Sequence, residues 1–363
     1  MANNDSLATE DTAPAGGNPR KKGFLSLLVR YGLPLALTVL LVWYIFKKVD
    51  FGEMMHIIDS GVDYGWILAA MGISVFSHIF RAARWRLQLR GMGVTPPMHA
   101  LCVSIFGTYA LNLLFPRLGE VWRCTYIAQR EKTPLTGVLG SMVADRLSDT
   151  VMVLSLTLLT FIVAAPALNA FLAKYPVGQG IVDLAGNVWF WVGLAAAVAV
   201  AWWLAVALRG NKWVMRIKKI CRELWQGFAV VGRMKGRAQF LLLTFAIWAC
   251  YFLQLYVAFF AFPFTRELCG DAAQGYGLTP CLVAFVLSSI GMAIPSNGGL
   301  GPWNIAVMFG LAVYGITDAQ GAAFSMLVWS AQTVMLIILG IYTMIYIASG
   351  KKTNRSPQRD TND

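Results

Sequence analysis

Charge is what this sequence has least of. Only 13% of its 363 residues are Asp, Glu, Lys or Arg, against about 25% in a soluble domain. Meanwhile 57% are hydrophobic and the mean hydropathy is +0.60. Such a chain cannot cover itself with polar side chains, which excludes both an ordinary soluble enzyme and a disordered chain. Histidine is almost missing: His56, His78 and His99 share no motif. The six cysteines include no Cys-x-x-Cys and no Cys/His cluster, which argues against a zinc site and a disulfide-built scaffold. Most read as small apolar fillers; only Cys269 and Cys281 invite the question of a pairing. Strict apolar–polar alternation is also lacking, which argues against a transmembrane barrel. What remains is an all-α polytopic integral membrane protein.

Apolar blocks cover Phe24–Phe46, Tyr64–Phe80, Met98–Phe115, Leu135–Ala165, Asn187–Leu208, Phe240–Phe262, Leu278–Ile294, Trp303–Val313 and Ala322–Ala348. The first follows Arg20-Lys21-Lys22 like a signal sequence. It ends in Tyr44-Ile45-Phe46-Lys47-Lys48, which is no small-residue cleavage site, so it reads as an uncleaved anchor. Residues 1–23 read as a disordered cytoplasmic tail, 24–348 as the membrane domain and 349–363 as a second cytoplasmic tail. Within the domain, 211–235 alternates apolar and basic residues at helical spacing. That fits an amphipathic helix on the inner leaflet, or simply a basic loop.

The placement of Lys and Arg orients the chain. Segments 81–97 and 209–237 hold four and nine basic residues, and 47–63 holds two against four acids. The net charge of +12 divides into +16 inside and −4 outside, with Arg30 and Arg146 balancing Asp145 and Asp149 within the membrane. Residues 116–134 are also basic and read as cytoplasmic. Segment 98–115 would then dip in and return, and 278–313 would do the same from outside. The expected topology is six full spans plus two re-entrant elements from opposite sides, with both termini in the cytoplasm; eight full spans is the alternative.

Three places combine charge or broken backbone with apolar surroundings. Asn112-Leu-Leu-Phe-Pro116-Arg117-Leu-Gly119-Glu120-Val-Trp122-Arg123 ends a helix and sets Arg117, Glu120 and Arg123 three apart, on one helix face. Arg can hold a phosphate bidentately, so this is a candidate headgroup site or a membrane-edge ion pair. Asp145-Arg146-Leu-Ser148-Asp149 lies inside a 31-residue apolar run. Such groups must face a cavity or each other, and Arg117 or Arg123 is a natural partner. Pro295-Ser-Asn297-Gly298-Gly299-Leu300-Gly301-Pro302-Trp303-Asn304 cannot continue a helix. It offers free amides to an anion, or makes a tight hairpin. Pro116, Gly119 and Trp122 parallel Pro295, Gly298 and Trp303, the pointer to an inverted repeat with a central site. Arg81-Ala-Ala-Arg84-Trp85-Arg86 fits a positive-inside anchor with an interfacial Trp. Arg81, Arg84 and Asn112 are secondary site candidates.

Taken in order, Arg-x-x-Arg-Trp at 81–85, Asn-x-x-x-Pro-x-x-Gly-Glu-x-x-Arg at 112–123, Asp-Arg-x-x-Asp at 145–149 and Gly-Gly-Leu-Gly at 298–301 resemble the flippase-like transmembrane domain of lysylphosphatidylglycerol synthases. The resemblance covers most of residues 25–348. It implies re-entrant helices around a central cavity and the movement of modified lipids across the membrane. The sequence departs from that pattern at Asn297, where the family has Pro, and at Asn304, where it has Glu. No soluble aminoacyltransferase domain lies within the 363 residues, so the chain is not expected to make lysylphosphatidylglycerol by itself. The expectation is an inner-membrane lipid transporter, not an enzyme, without cofactor, metal or nucleic acid. It would take lipids with a phosphate-bearing headgroup into a cavity lined by Arg117, Glu120, Arg123, Asp145, Arg146, Asp149, Asn297, Gly298, Gly299 and Asn304. The alternatives are an accessory subunit partnering a lipid-modifying enzyme, and an integral transferase using Glu120, Asp145 or Asp149.

Overall fold

The computed structural model describes residues 33–167, 187–189, 191–193, 195–196, 236–270 and 276–349. The described residues are helical, with no strand among them. In chain order the helices are α1 (Leu33–Lys48), α2 (Phe51–Asp59), α3 (Tyr64–Gly91), α4 (Met98–Leu114), α5 (Leu118–Arg130), α6 (Leu135–Val163), α7 (Arg237–Phe259), α8 (Pro263–Gly270), α9 (Thr279–Gly291), α10 (Pro302–Ala312) and α11 (Asp318–Ala348). Helices α3, α6, α7 and α11 are long and apolar enough to cross a membrane. The two tails, most of the expected span 187–208 and the basic amphipathic stretch 211–235 lie outside the described residues.

Capping side chains set several helix starts. Asp50 accepts from the amides of Gly52 and Glu53 at the start of α2, and Asp63 from Gly65 at the start of α3. Thr317 and Gln320 form a reciprocal capping box at the start of α11; each replaces a partner that the first turn lacks. Helix α3 runs eleven residues past Phe80, where its apolar block stops, and carries Arg81, Arg84 and Trp85 inside the bundle. The reading of these residues as an interfacial anchor is therefore corrected: a hydropathy block ends at the first charge, but a helix continues wherever its charges find partners. Cys269 and Cys281 are both free thiols. Burial pushes the Cys269 thiol up to about 11, so it stays protonated at neutral pH.

Two helix pairs are too short to cross. Helix α4 has 17 residues and α5 has 13, so they reach only ~25 and ~20 Å in a core of about 30 Å. They form a hairpin broken at Phe115-Pro116-Arg117. Residues 116–134, read as basic and cytoplasmic, form the returning arm as helix α5, with Gly119, Arg123, Cys124, Ile127 and Ala128 buried on one face. Helices α9 and α10, of 13 and 11 residues, form a second hairpin, broken at 292–301. Long helix, hairpin, long helix thus occurs twice, as α3–α4–α5–α6 and as α7–α9–α10–α11.

Helix α11 serves as a ruler, with 31 residues and ~46 Å of length. Near its start, Gly321 faces Met308 of α10. Further along, the Trp329 indole donates to Gly298 O at 2.9 Å. Beyond its midpoint Gly340 faces Ala110, Thr343 donates to Val103 O at 3.2 Å, and Tyr346 meets the His99 ring at 5.8 Å. The two hairpins therefore occupy opposite halves of α11 and enter from opposite ends. Their tips meet in its middle third, where Asn297 Nδ2 donates to Leu114 O at 2.8 Å and Gly298 lies against Leu113.

The α4–α5 hairpin closes on a glycine. A Cβ on Gly119 would lie 2.1 Å from the carbonyl oxygen of Thr108, and its amide donates to Asn112 Oδ1 at 3.0 Å. Gly140, on α6, has open space around it. Gly119→Ala should cost roughly 1–3 kcal/mol by overpacking. Gly140→Ala should be neutral or stabilise by up to about 1 kcal/mol. Thermal unfolding in detergent micelles separates the two, and equal melting would refute this account of the hairpin.

Candidate functional site

The site grows from a polar stripe on α3. Ser74, Ser77, Arg81, Arg84 and Gln88, with His78 beside Ser77, recur at helical spacing and are all buried. This is one helix face turned inward, against the usual order of an amphipathic helix. It meets α6, whose Asp145 and Asp149 are one turn apart and buried. Arg81 Nη1 donates to Asp149 Oδ2 at 2.9 Å and to Asp145 Oδ2 at 3.3 Å. Arg84 Nη2 lies 2.8 Å from Asp149 Oδ1 and 2.6 Å from Asp145 Oδ1. Arg123 of α5 approaches Asp145 Oδ2 at 3.5 Å, and its guanidinium lies 4.6 Å over the Trp85 ring.

Helix α7 completes the cluster. Tyr251 Oη accepts from Arg81 Nε and Nη2 at 3.3 and 3.1 Å, and Thr244 Oγ1 accepts from Arg84 Nη1 at 3.1 Å. Tyr109 of α4 joins through its hydroxyl, 3.4 Å from that of Tyr251. Trp85 Nε1 donates to Ser141 Oγ at 2.9 Å. The network ties together α3, α5, α6 and α7. Its three guanidinium groups and two carboxylates leave one positive charge without a counter-charge inside the network.

Depth follows from a neighbouring contact. Gln332, in the middle of α11, donates to Ser74 Oγ at 3.1 Å and accepts from Gln254 at 2.6 Å. Ser74 is thus near mid-depth, and Arg81 and Arg84 lie ~10 and ~15 Å along α3 from it. The charges sit off mid-depth, toward the C-terminal end of α3.

The expected cavity lining does not assemble as one group. Arg123, Asp145 and Asp149 come together, joined by Arg81 and Arg84, which the sequence ranked second. Glu120 and Arg146 pair with each other across α5 and α6, with the Arg146 side chain exposed. Arg117 is exposed at the tip of the first hairpin, with φ +65°, and forms no ion pair among the described residues. Asn112 holds the Gly119 amide within the first hairpin, and Asn297 holds the Leu114 carbonyl, joining the tips. Asn304 is fully buried and accepts from Gly301 N at 3.1 Å, which starts α10. Gly298 and Gly299 make the turn before it, both at positive φ. These tip residues serve backbone roles away from the ionic network.

Tyr251, Thr244, Tyr109 and Ser141 escaped the reading of the sequence. Thr244 and Tyr251 are seven residues apart, two turns on one face of α7, and that spacing was the available signal. No group of acidic, His and Cys residues suited to a metal occurs among the described residues. A cavity of about 420 Å³ lies at the opposite end of the bundle, between Asp63, Arg266 and Glu267. An apolar one of about 200 Å³ is lined by Ile45, Val49, Phe51, Met54 and Met326. Neither touches the network.

The family model described as Lysylphosphatidylglycerol synthase TM region matches residues 32–340. No curated protein matches the chain.

The excess charge sets a direction for mutagenesis. Asp145→Asn would leave three arginines facing one carboxylate. It should cost roughly 3–5 kcal/mol, the range for breaking a buried pair. Arg123→Gln leaves the network neutral and should cost less than half as much. Chemical denaturation in micelles orders the two variants; the reverse order would contradict the charge count.

Proposed function

We propose a lipid-transport function for this chain, which belongs to the lysylphosphatidylglycerol synthase TM region family. The observation that carries the reading is the buried Arg81–Arg84–Arg123–Asp145–Asp149 network, placed beside the meeting tips of two broken helix pairs. Ionisable groups in a membrane are costly and occur where a polar substrate passes. Broken helices at that depth are tolerated where they are buried in protein or line a cavity.

In this reading the headgroup of an anionic lipid, or of a lipid-linked anionic molecule, follows the polar face of α3 while its tails stay in hydrocarbon. The arginines take the place of headgroup hydration, and the two aspartates hold them apart and oriented when no lipid is present. Arg117, exposed at the tip where the hairpins meet, is the next cation along the path. The positive-inside rule supports a network in the cytoplasmic half of the inner membrane, with both termini cytoplasmic.

Reconstitution in liposomes with fluorescent phospholipids of several headgroups tests the proposal. Protein-containing vesicles should exchange label between leaflets faster than empty ones. Arg117→Ala, which breaks no ion pair, should slow the exchange about tenfold, as expected for loss of one charge-assisted contact. Exchange no faster than in empty vesicles, for every headgroup, would sink the transporter reading.

A further inference from the structure

One guanidinium in the network has a whole edge unused. Arg81 and Arg84 donate to Asp145, Asp149, Tyr251 and Thr244, and Arg84 keeps a single unpartnered nitrogen, its Nε. Arg123 is just as buried, at 1% exposure, yet its Nε and Nη2 have no hydrogen-bond partner. Its 3.5 Å approach to Asp145 is an ion-pair distance only. Leaving charged donors buried and unpaired is expensive. Nε and Nη2 together form the side edge of a guanidinium, which takes two oxygens of one anion in parallel. The Trp85 ring under the guanidinium plane fixes its orientation. The network's net charge also lacks one negative charge.

These observations converge, and we propose that Arg123 is an anion-binding residue that holds the phosphodiester of a membrane lipid on its Nε–Nη2 edge. The proposal rests on the lipid-transport reading for its ligand source and deepens it to one group and one chemistry. A phosphodiester carries a single charge and balances the network. Its two free oxygens match the two free donors. Access would require α5 and α6 to part at the Glu120–Arg146 pair, which joins the same two helices one turn nearer the hairpin tip and whose Arg146 side chain is exposed.

The test is equilibrium binding to the purified full chain in detergent, read as ligand-induced thermal stabilisation. The probes are dioctanoyl phosphatidylglycerol, dioctanoylglycerol and inorganic phosphate. Phosphatidylglycerol should stabilise the protein saturably, and dioctanoylglycerol should not. Arg123→Gln should weaken phosphatidylglycerol binding about tenfold or more, the loss expected for a charged hydrogen bond. Arg123→Lys, which keeps the charge but not the paired donors, should fall between. A merely structural Arg123 would shift melting without ligand and leave the ligand-induced increment unchanged, and that result overturns the proposal. Stabilisation by inorganic phosphate without phosphatidylglycerol overturns the lipid source, and equal binding of dioctanoylglycerol overturns the anion site. Should the variants fail to fold, hydrogen exchange on wild type decides. Phosphatidylglycerol should protect amides of residues 118–130, and no protection counts against the site. Binding without leaflet exchange in liposomes would remove the transport function and leave this site standing.

Discussion

The structure depends on one interaction, the exchange of charge between α3 and α6 through Arg81, Arg84, Asp145 and Asp149. Hydrocarbon surroundings offer no water to an isolated charge, so neither helix could keep these residues buried without the other. The pairing permits α3 to run on as one helix to Gly91 instead of stopping at the membrane surface. It also orients α6, whose other faces are largely exposed. Arg123 of the first hairpin enters the same network, so the position of the re-entrant helices is coupled to the ionic core.

The second organising feature is the meeting of the hairpin tips. Each hairpin frees backbone groups where its helix breaks, and partners come from the other tip, from α11 and from within the hairpin itself. Asn297 takes the Leu114 carbonyl, Trp329 takes Gly298 O, and Asn112 takes the Gly119 amide. Satisfying these groups internally is what makes irregular backbone tolerable at this depth. The asparagines of the tips are therefore occupied in holding the break aligned, and the buried ionic network lies a few turns away. Backbone support and charge pairing are divided between neighbouring residues, although the sequence places them in the same short motifs.

Family membership over residues 32–340 agrees with the all-helical membrane architecture and with the ordered set of motifs. The departures at Asn297 and Asn304 acquire a physical meaning. Both asparagines make backbone contacts through their amide groups. Asn304 is fully buried, where a carboxylate would need a compensating charge that no neighbour in its contacts supplies.

Much of the architecture was legible in the sequence because it follows from local rules. The length of apolar blocks decided membrane over water. Short blocks interrupted by Pro and Gly announced the two dips, and their opposite entry followed from the distribution of Lys and Arg. The acids at 145 and 149 stood out because carboxylates are rare within a span. Other features were not legible, since they depend on which faces meet. Arg81 and Arg84 read as surface anchors until Asp145 and Asp149, more than sixty positions away, supplied their counter-charges. Residues 116–134 read only as basic and cytoplasmic, because their charges outweighed the weak apolar face of a returning helix. The expected single cavity divided for the same reason. Sequence spacing establishes which residues share a helix face, but only the packing of α3, α5, α6 and α7 decides which charges neutralise each other and which guanidinium, that of Arg123, keeps a two-donor edge unpaired.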